Sequence, residues 1–153
     1  MALDNIDKQL LRFLQQDSSM TIKQLAFELK LTTTPVYERI KRLEKSGIIE
    51  GYRATINPAK VGLELSVLIH ISLKEHAKAL LVNFEKQINL LDEVTECYHV
   101  TGEHDYLLKA YIPNMEGYRD FLTNKLAKIP NIVNVHSSFV VSQIKQGGIL
   151  ESV

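Results

Sequence analysis

The sequence predicts an α+β protein with a short helical part followed by a longer part in which strands and helices alternate. Apolar residues recur at helical spacing over the first 47 residues and alternate with polar residues in several later segments. A turn signal at Asn57-Pro58, with Gly62 after it, separates the two patterns. The charge changes sign there, because residues 1–60 carry 10 Lys and Arg against 7 Asp and Glu, and the remainder carries 8 against 11. We therefore expect two domains with different partners.

The composition excludes several classes of protein. The chain has 153 residues, 45% of them hydrophobic, and no formal net charge, which is typical of a folded protein with a substantial core. Its one Cys cannot form an internal disulfide, which suits a reducing compartment. The longest apolar runs fall far short of the ~20 residues that a membrane span needs, and the N-terminus lacks the features of a signal peptide. We expect a cytoplasmic protein with no membrane partner.

Three helices are predicted in the first 47 residues. Asp4 is placed to cap the first helix, and Thr21 with Gln24 forms a capping box for the second. Either Thr32 or Thr34 caps the third, which Gly47 ends. The apolar stripes of the three helices are Ile6, Leu10, Phe13 and Leu14, then Leu25, Ala26 and Leu29, then Val36, Ile40 and Leu43.

The third helix carries hydroxyl groups at its start and cations on its outer face. Thr34, Glu38, Lys41, Arg42 and Lys45 point away from its apolar stripe, and Thr33 and Tyr37 flank that stripe. Two short helices joined by a tight turn, with such a second helix, are typical of the helix-turn-helix plan. Hydroxyl groups can contact base edges, and Lys or Arg can neutralise phosphates. The pattern alone equally allows a three-helix bundle with an ordinary solvated face.

The second part shows two helical stripes among four strands. Strands are predicted over residues 65–73, 94–101, 106–112 and 133–141, and helices over residues 77–88 and 115–129. The order βαββαβ is the ferredoxin-like plan. Two helices cover one face of such a sheet, whereas Leu68, Leu107 and Tyr111 fall on the other. An open face this apolar indicates dimerisation through it.

Several motifs resemble the Lrp/AsnC family, the feast/famine transcription regulators of bacteria and archaea. They are Leu3-Asp4 with Ile6-Asp7, Leu25-Ala26 with Leu29, the runs 34–44 and 47–52, and Gly102-Glu103-His104-Asp105-Tyr106-Leu107-Leu108. Together they cover nearly the whole chain. Thr33 departs from the Pro of many relatives.

The resemblance implies a winged helix-turn-helix domain over residues 1–47, a hinge strand and linker over 48–62, and an effector-binding and oligomerisation domain over 63–153. By pattern alone, residues 48–56 are a strand that serves as a wing or as a linker. The hinge strand would pair with its copy in a dimer, and dimers would assemble into a tetramer or an octamer. The expected DNA-binding residues are Thr33, Thr34, Tyr37, Glu38, Arg39, Lys41, Arg42 and Lys45.

The resemblance also implies a site for an amino-acid effector between dimers. A turn containing Gly can present N–H groups to the carboxylate of the effector, and Asp105 can face its ammonium. The matching positions are Tyr98, Thr101, Gly102, Glu103, His104 and Asp105, with Ser137 and Ser138 from a neighbouring strand. Apolar surroundings favour a large aliphatic or sulfur-containing amino acid. Without the resemblance, the turn is a plain hairpin with Asp105 in solvent.

Enzyme motifs are absent from the sequence. It has no Gly-x-Ser-x-Gly, no phosphate-binding loop and no Cys-x-x-Cys, and its five His residues lack the spacing of metal ligands. We therefore expect no catalysis, cofactor or metal, and a sequence-specific DNA-binding regulator that responds to a small effector. The alternatives are an architectural DNA-binding protein without a ligand and a metabolite-binding module without DNA binding.

Overall fold

The computed structural model describes residues 2–150, which form two compact units. One unit contains the chain up to Thr55 and the C-terminal segment from Ile144, and the other contains Ile56–Gln143. Within residues 2–150, no helix has the length and hydrophobicity that crossing a membrane requires.

The first unit contains three helices, α1 (Asn5–Gln16), α2 (Ile22–Leu29) and α3 (Thr33–Lys45). Both predicted caps are confirmed, because Asp4 caps α1 and Thr21 forms a capping box with Gln24 in α2. Thr32 occupies the N-cap position of α3, although its side chain makes no capping hydrogen bond.

One stripe from each helix builds the core of the first unit. The predicted stripe of α3 is buried completely or nearly so, as are the apolar positions of α2. The buried hydrophobic residues are Leu10, Leu11, Leu25, Ala26, Leu29, Val36, Ile40 and Leu43.

The segment after α3 forms no strand in the single chain. Residues 48–57 contain a bend at residues 48–49 and no strand pairing, and a 3₁₀ turn, Pro58–Val61, follows them. A strand requires a neighbouring strand for its hydrogen bonds, so a single protomer cannot show the predicted hinge strand. Its pairing with a second copy stays a prediction.

The second unit has the predicted βαββαβ order. Its strands are β1 (Leu65–Leu73), β2 (Val94–His99), β3 (Tyr106–Ile112) and β4 (Ile132–Phe139), and its helices are α4 (Lys78–Ile88) and α5 (Met115–Asp120). A π-helical turn, Phe121–Lys125, and a 3₁₀ turn, Leu126–Lys128, prolong α5. The strands form one antiparallel sheet in the order β2-β3-β1-β4. β2 and β4 end two residues before the predicted positions, which is the usual uncertainty of strand ends.

The sheet has two chemically different faces. The inner face packs against the helices, and its core includes Ile69, Leu108 and Phe84, all fully buried. The outer face carries Leu68, Leu107 and Tyr111, which are only half-buried in the single chain.

Candidate DNA and effector sites

The start of α3 is presented to solvent because the opposite side of the helix is buried. Val36 and Leu43 have no exposed surface, so Thr33, Thr34 and Tyr37 face outward on the first two turns. A groove of about 400 Å³ runs along this surface, lined by Ile22, Lys23, Thr33, Thr34 and Tyr37. The structure therefore brings three of the predicted base-contacting residues together beside a cation from α2, and Glu38 is exposed on the following position.

Lys41 belongs to a small polar network on the same helix. Its ammonium lies 5.8 Å from the centre of the Tyr37 ring and 2.8 Å from the Glu44 carboxylate. The hydroxyl of Tyr52 donates a hydrogen bond of 3.1 Å to Glu44. The hydrogen bond to Glu44 raises the pKa of Lys41 and so favours its charged form.

Arg39 and Arg42 bind carboxylates at the start of α1. Arg39 Nη1 lies 2.6 Å from Asp4 and 2.7 Å from Asp7, and Arg42 Nη2 lies 2.7 Å from both oxygens of Asp7. The N–H of Asp7 and then Arg39 lower the pKa of Asp4. Of the four predicted cations of α3, Arg39, Lys41 and Arg42 therefore pair with protein carboxylates, and Lys45 is the one of these four without an ion pair within residues 2–150.

Asp7 is a functional candidate that the sequence interpretation missed. The sequence shows Asp7 only as part of a family motif, whereas in the structure it occupies the third position of α1 and completes a capping box with Asp4. The available signal was its helical spacing of three and four residues from the buried Leu10 and Leu11. A carboxylate on a buried stripe requires cationic partners, and the outward cations of α3 were the candidates.

The Gly102–Asp105 turn is tied to the end of β1. Gly102 has a φ of +122°, which strongly favours glycine. The N–H of Asp105 donates to the carbonyl of Ile71 at 2.9 Å, and its carboxylate accepts from the N–H of Leu73 at 2.6 Å. His76 Nε2 lies 2.8 Å from the other carboxylate oxygen. The Leu73 N–H is the main cause of the lowered pKa of Asp105, so this carboxylate is an ionised anchor of the turn.

His104 extends from this turn over the outer face of the sheet. Its Nδ1 lies 3.1 Å from the hydroxyl oxygen of Ser72. Its ring centre is 5.0 Å from that of His70 on β1 and 6.4 Å from that of His136 on β4. The turn and the outer face are therefore one continuous surface, with Thr101 and Glu103 exposed at its end.

The remaining predicted effector residues are not brought together in a single chain. Tyr98 and Ser138 share the outer face, but β2 and β4 are opposite edges of the sheet, about 14 Å apart at three strand spacings. Ser137 faces the helices, beside Tyr118 and Leu122, and its buried hydroxyl oxygen has no hydrogen-bond partner within residues 2–150. One amino acid cannot contact Tyr98, Ser137 and Ser138 of the same chain.

The part of the chain that the structure describes contains no group of three or more His, Cys, Asp or Glu side chains arranged to hold a metal ion. The rings of His70, His104 and His136 lie close together on the outer face of the sheet, but they do not form such a group. Their arrangement provides a polar patch on the sheet.

Comparison with known proteins identifies both units. Residues 3–50 match a winged helix-turn-helix DNA-binding family, and residues 66–150 match the Lrp/AsnC ligand binding domain. The chain belongs to the Lrp/AsnC family. Leucine-responsive regulatory proteins of Klebsiella pneumoniae and Escherichia coli strain K12 are each 35% identical to it over 144 residues, which is 94% of this chain and 88% of theirs.

Solved structures of Lrp/AsnC-type regulators have the same fold over nearly the whole chain. A transcriptional regulator of Neisseria meningitidis, solved as its L-Met complex, has a TM-score of 0.92 at 32% identity. An AsnC family regulator of Agrobacterium tumefaciens has a TM-score of 0.91 at 34% identity. Each match covers 97% of this chain and 96% of the other.

These matches confirm the predicted family, fold class and general function. The Lrp/AsnC chain is a transcription regulator with a DNA-binding helix-turn-helix domain and an amino-acid-binding domain. Its relatives are regulators and not enzymes.

Proposed function

We propose that α3 reads a specific DNA sequence in the major groove. The observation that carries this proposal is the exposed start of α3, where Thr33, Thr34 and Tyr37 form one surface above a buried stripe. Hydroxyl groups and Glu38 contact base edges, and Lys41 and Lys45 neutralise phosphates. Two copies related by a two-fold axis bind a roughly palindromic site with half-sites about one helical turn apart, or a multiple of it.

The test is enrichment of bound duplexes from a random-sequence pool, followed by affinity measurements at physiological salt. Thr34→Val keeps the shape of the side chain and removes its hydroxyl group. We expect this variant to bind the enriched duplex about tenfold more weakly. Its sequence preference should be lost at one base position and kept at the others. Thr123→Val, in the second unit, is the matched control. Binding without enrichment favours an architectural protein, and absence of binding favours a metabolite-binding module.

We infer that the amino-acid effector binds at the Thr101–Asp105 turn. Gly102 gives the turn a positive φ, and the carboxylate of Asp105 anchors it on β1. A large aliphatic or sulfur-containing effector agrees with the L-Met complex of one structural relative and with the leucine response named for others. The separation of Tyr98 from Ser138 supports a site completed by a second protomer.

Calorimetric titration with L-Met and L-Leu, with L-Asp as a comparison, tests the effector site. Asp105→Ala should abolish the effect of the amino acid on assembly and leave DNA binding intact. Asp92→Ala removes an exposed carboxylate of the same unit and is the control. An unchanged amino-acid response in Asp105→Ala would contradict the proposed site.

We propose that a second copy of the chain covers the outer face of the sheet. The half-buried Leu68, Leu107 and Tyr111 support this interface, and dimers would assemble further to a tetramer or an octamer. The effector acts by binding one assembly better than another, since only differential affinity shifts an equilibrium. Leu107→Asp should yield monomers in light scattering, whereas Val82→Asp, on the exposed side of α4, should not.

The proposed domains are residues 1–47 for DNA binding, 48–62 for the hinge strand and linker, and 63–153 for effector binding and assembly. We propose that the protein acts in the cytoplasm, on the nucleoid, because its partner is chromosomal DNA. Fluorescence of a tagged chain should coincide with the DNA stain, and uniform fluorescence would contradict this placement.

A further inference from the structure

Asp7 is the one buried charged residue among residues 2–150, with 1% of its side chain exposed. Its carboxylate accepts hydrogen bonds from Arg39 and from Arg42, and it also accepts from the N–H of Asp4 at 3.2 Å. Asp4 adds a second carboxylate to Arg39. We call these four residues the Asp7 cluster. It joins the first turn of α1 to the middle of α3 by four charge-assisted contacts of 2.6–2.7 Å.

The Asp7 cluster removes two of the four positive charges of α3 from the surface available to DNA. α3 contains Arg39, Lys41, Arg42 and Lys45. The two arginines are held by Asp4 and by Asp7, which is 1% exposed, whereas Lys41 pairs with Glu44, whose side chain is 30% exposed and leaves Lys41 at the surface. The Arg42 side chain is nevertheless 47% exposed, so its guanidinium lies near enough to solvent to reach a phosphate if Asp7 did not hold it.

We propose that Asp7 is a positioning residue that increases the sequence specificity of α3, an inference that rests on the proposed DNA-binding function. Phosphate contacts strengthen binding to every sequence equally, whereas base contacts distinguish one sequence from another. By holding Arg39 and Arg42, Asp7 limits the sequence-independent part of the binding free energy. The same contacts fix α3 on α1, and they thereby set the position of Thr33 and Thr34 over the bases.

Arg39 and Arg42 therefore have a role that differs from the predicted contact with DNA. The family resemblance places both among the expected DNA-binding residues. The geometry points instead to a role inside the protein, because Arg42 Nη2 donates to both oxygens of a buried carboxylate, and such a charged partner is costly to withdraw. Lys41 and Lys45 then supply the phosphate contacts of α3.

The decisive variant is Asp7→Asn, which keeps the size of the side chain and removes its charge. Asp17→Asn is the matched control, because it removes one charge from the same unit at a carboxylate that bonds only Ser19 within residues 2–150. Both variants are measured against two duplexes of equal length, one enriched from a random pool by the unmodified protein and one of random sequence. Each affinity is measured over a range of salt concentrations.

We expect Asp7→Asn to reduce the ratio of enriched-duplex to random-duplex affinity by about tenfold relative to Asp17→Asn, which equals the loss of one good base contact. The salt dependence on the random duplex should steepen by about one to two units of slope as the released arginines reach phosphates. A merely structural role would weaken binding to both duplexes by the same factor and would not steepen the slope.

Equal losses on both duplexes, or a result identical to that of Asp17→Asn, would overturn the proposal. If Asp7→Asn loses its helical circular dichroism, Asp4→Asn decides, because Asn is also a good N-cap and the carboxylate removed is half-exposed. Asp4→Asn should also lower the ratio of enriched-duplex to random-duplex affinity and steepen the salt dependence on the random duplex, each by a smaller amount than Asp7→Asn. If the unmodified protein prefers no duplex, the proposed function fails, and the salt slope of Asp7→Asn on random DNA still tests whether Asp7 holds the arginines.

Discussion

The two units of this regulator obtain their order in different ways. In the first unit, Asp4 and Thr21 begin helices by bonding residues three positions later. In the second unit, β1 lies between β3 and β4, whose residues follow it by about 40 and 70 positions in the chain. The buried charge lies in the first unit, whereas the core of the second unit is built from hydrophobic side chains.

This contrast follows from size and from the task of each unit. A unit of about 60 residues buries too little apolar surface for a large stability margin, so caps and ion pairs carry more of its stability. Its helix-turn-helix must also keep part of its surface open to DNA. The sheet of the second unit buries one complete face against helices and keeps its polar chemistry on the other face and the adjoining turn. Four predictions test this contrast.

The largest effect is expected from Phe84→Ala in the core of the second unit. Phe84 is fully buried and its ring centre lies 4.5 Å from that of Tyr106. We expect a loss of about 3–5 kcal/mol in the free energy of unfolding, from lost burial and a remaining cavity. Urea unfolding followed by circular dichroism measures it. Val82→Ala, on the same helix, should cost under half as much, and equal losses would contradict the assignment of the core.

Gly102→Ala should destabilise the effector turn through its backbone alone. A Cβ atom at this position meets no atom within 4 Å, but the φ of +122° is strained for any other residue. We expect a cost of about 1–3 kcal/mol, measured by urea unfolding. Gly51→Ala is the control, since its Cβ atom also meets nothing and no positive φ is involved. Similar stability of the two variants would show that the turn tolerates another conformation.

Thr21→Ala should affect the first unit alone. The hydroxyl group of Thr21 accepts the N–H of Gln24 and begins α2. Loss of this cap should cost about 1 kcal/mol. Amide hydrogen exchange should accelerate in Ile22–Leu29 and remain unchanged in β1. Thr95→Ala, on β2, is the matched control, and acceleration throughout both units would contradict their independence.

The smallest effect at neutral pH is expected from Asp105→Asn, because Asn keeps an oxygen that accepts the Leu73 N–H. The pKa of Asp105 is lowered in the folded chain, so its ionised form contributes stability above the unfolded pKa of about 3.9. That contribution is lost as the pH falls through the folded pKa. The stability difference between the unmodified chain and Asp105→Asn should therefore shrink below about pH 4. A difference that is constant from pH 6 to pH 2.5 would contradict this role.

The sequence predicted the fold well where the signals are local. The capping residues, the buried stripe of α3 and the alternation of β1 each depend on neighbours within a few positions. The βαββαβ order then left few possible topologies. A strand over residues 48–56 was predicted from the same kind of pattern, and its role as a hinge from the family resemblance. A strand also requires a partner, and the single chain provides none at residues 48–57.

The candidate sites were predicted less completely, because side-chain partners lie far apart in the sequence. Helical spacing correctly placed Thr33, Thr34 and Tyr37 on an exposed surface. The same spacing assigned Arg42 to that surface, and it could not show that Asp7, 35 positions earlier, binds its guanidinium. Adjacent positions 137 and 138 were grouped as one contribution, whereas alternation along a strand puts them on opposite faces.

By itself, the sequence of this Lrp/AsnC regulator determined its family, its fold class and the order of its helices and strands. Hydrophobic periodicity and helix capping depend on residues only a few positions apart, so the sequence shows them directly. Only the tertiary structure decided which charges remain available to a partner and which side chains share a site. Those outcomes depend on contacts between distant segments, as between α1 and α3, or between the Gly102–Asp105 turn and the end of β1.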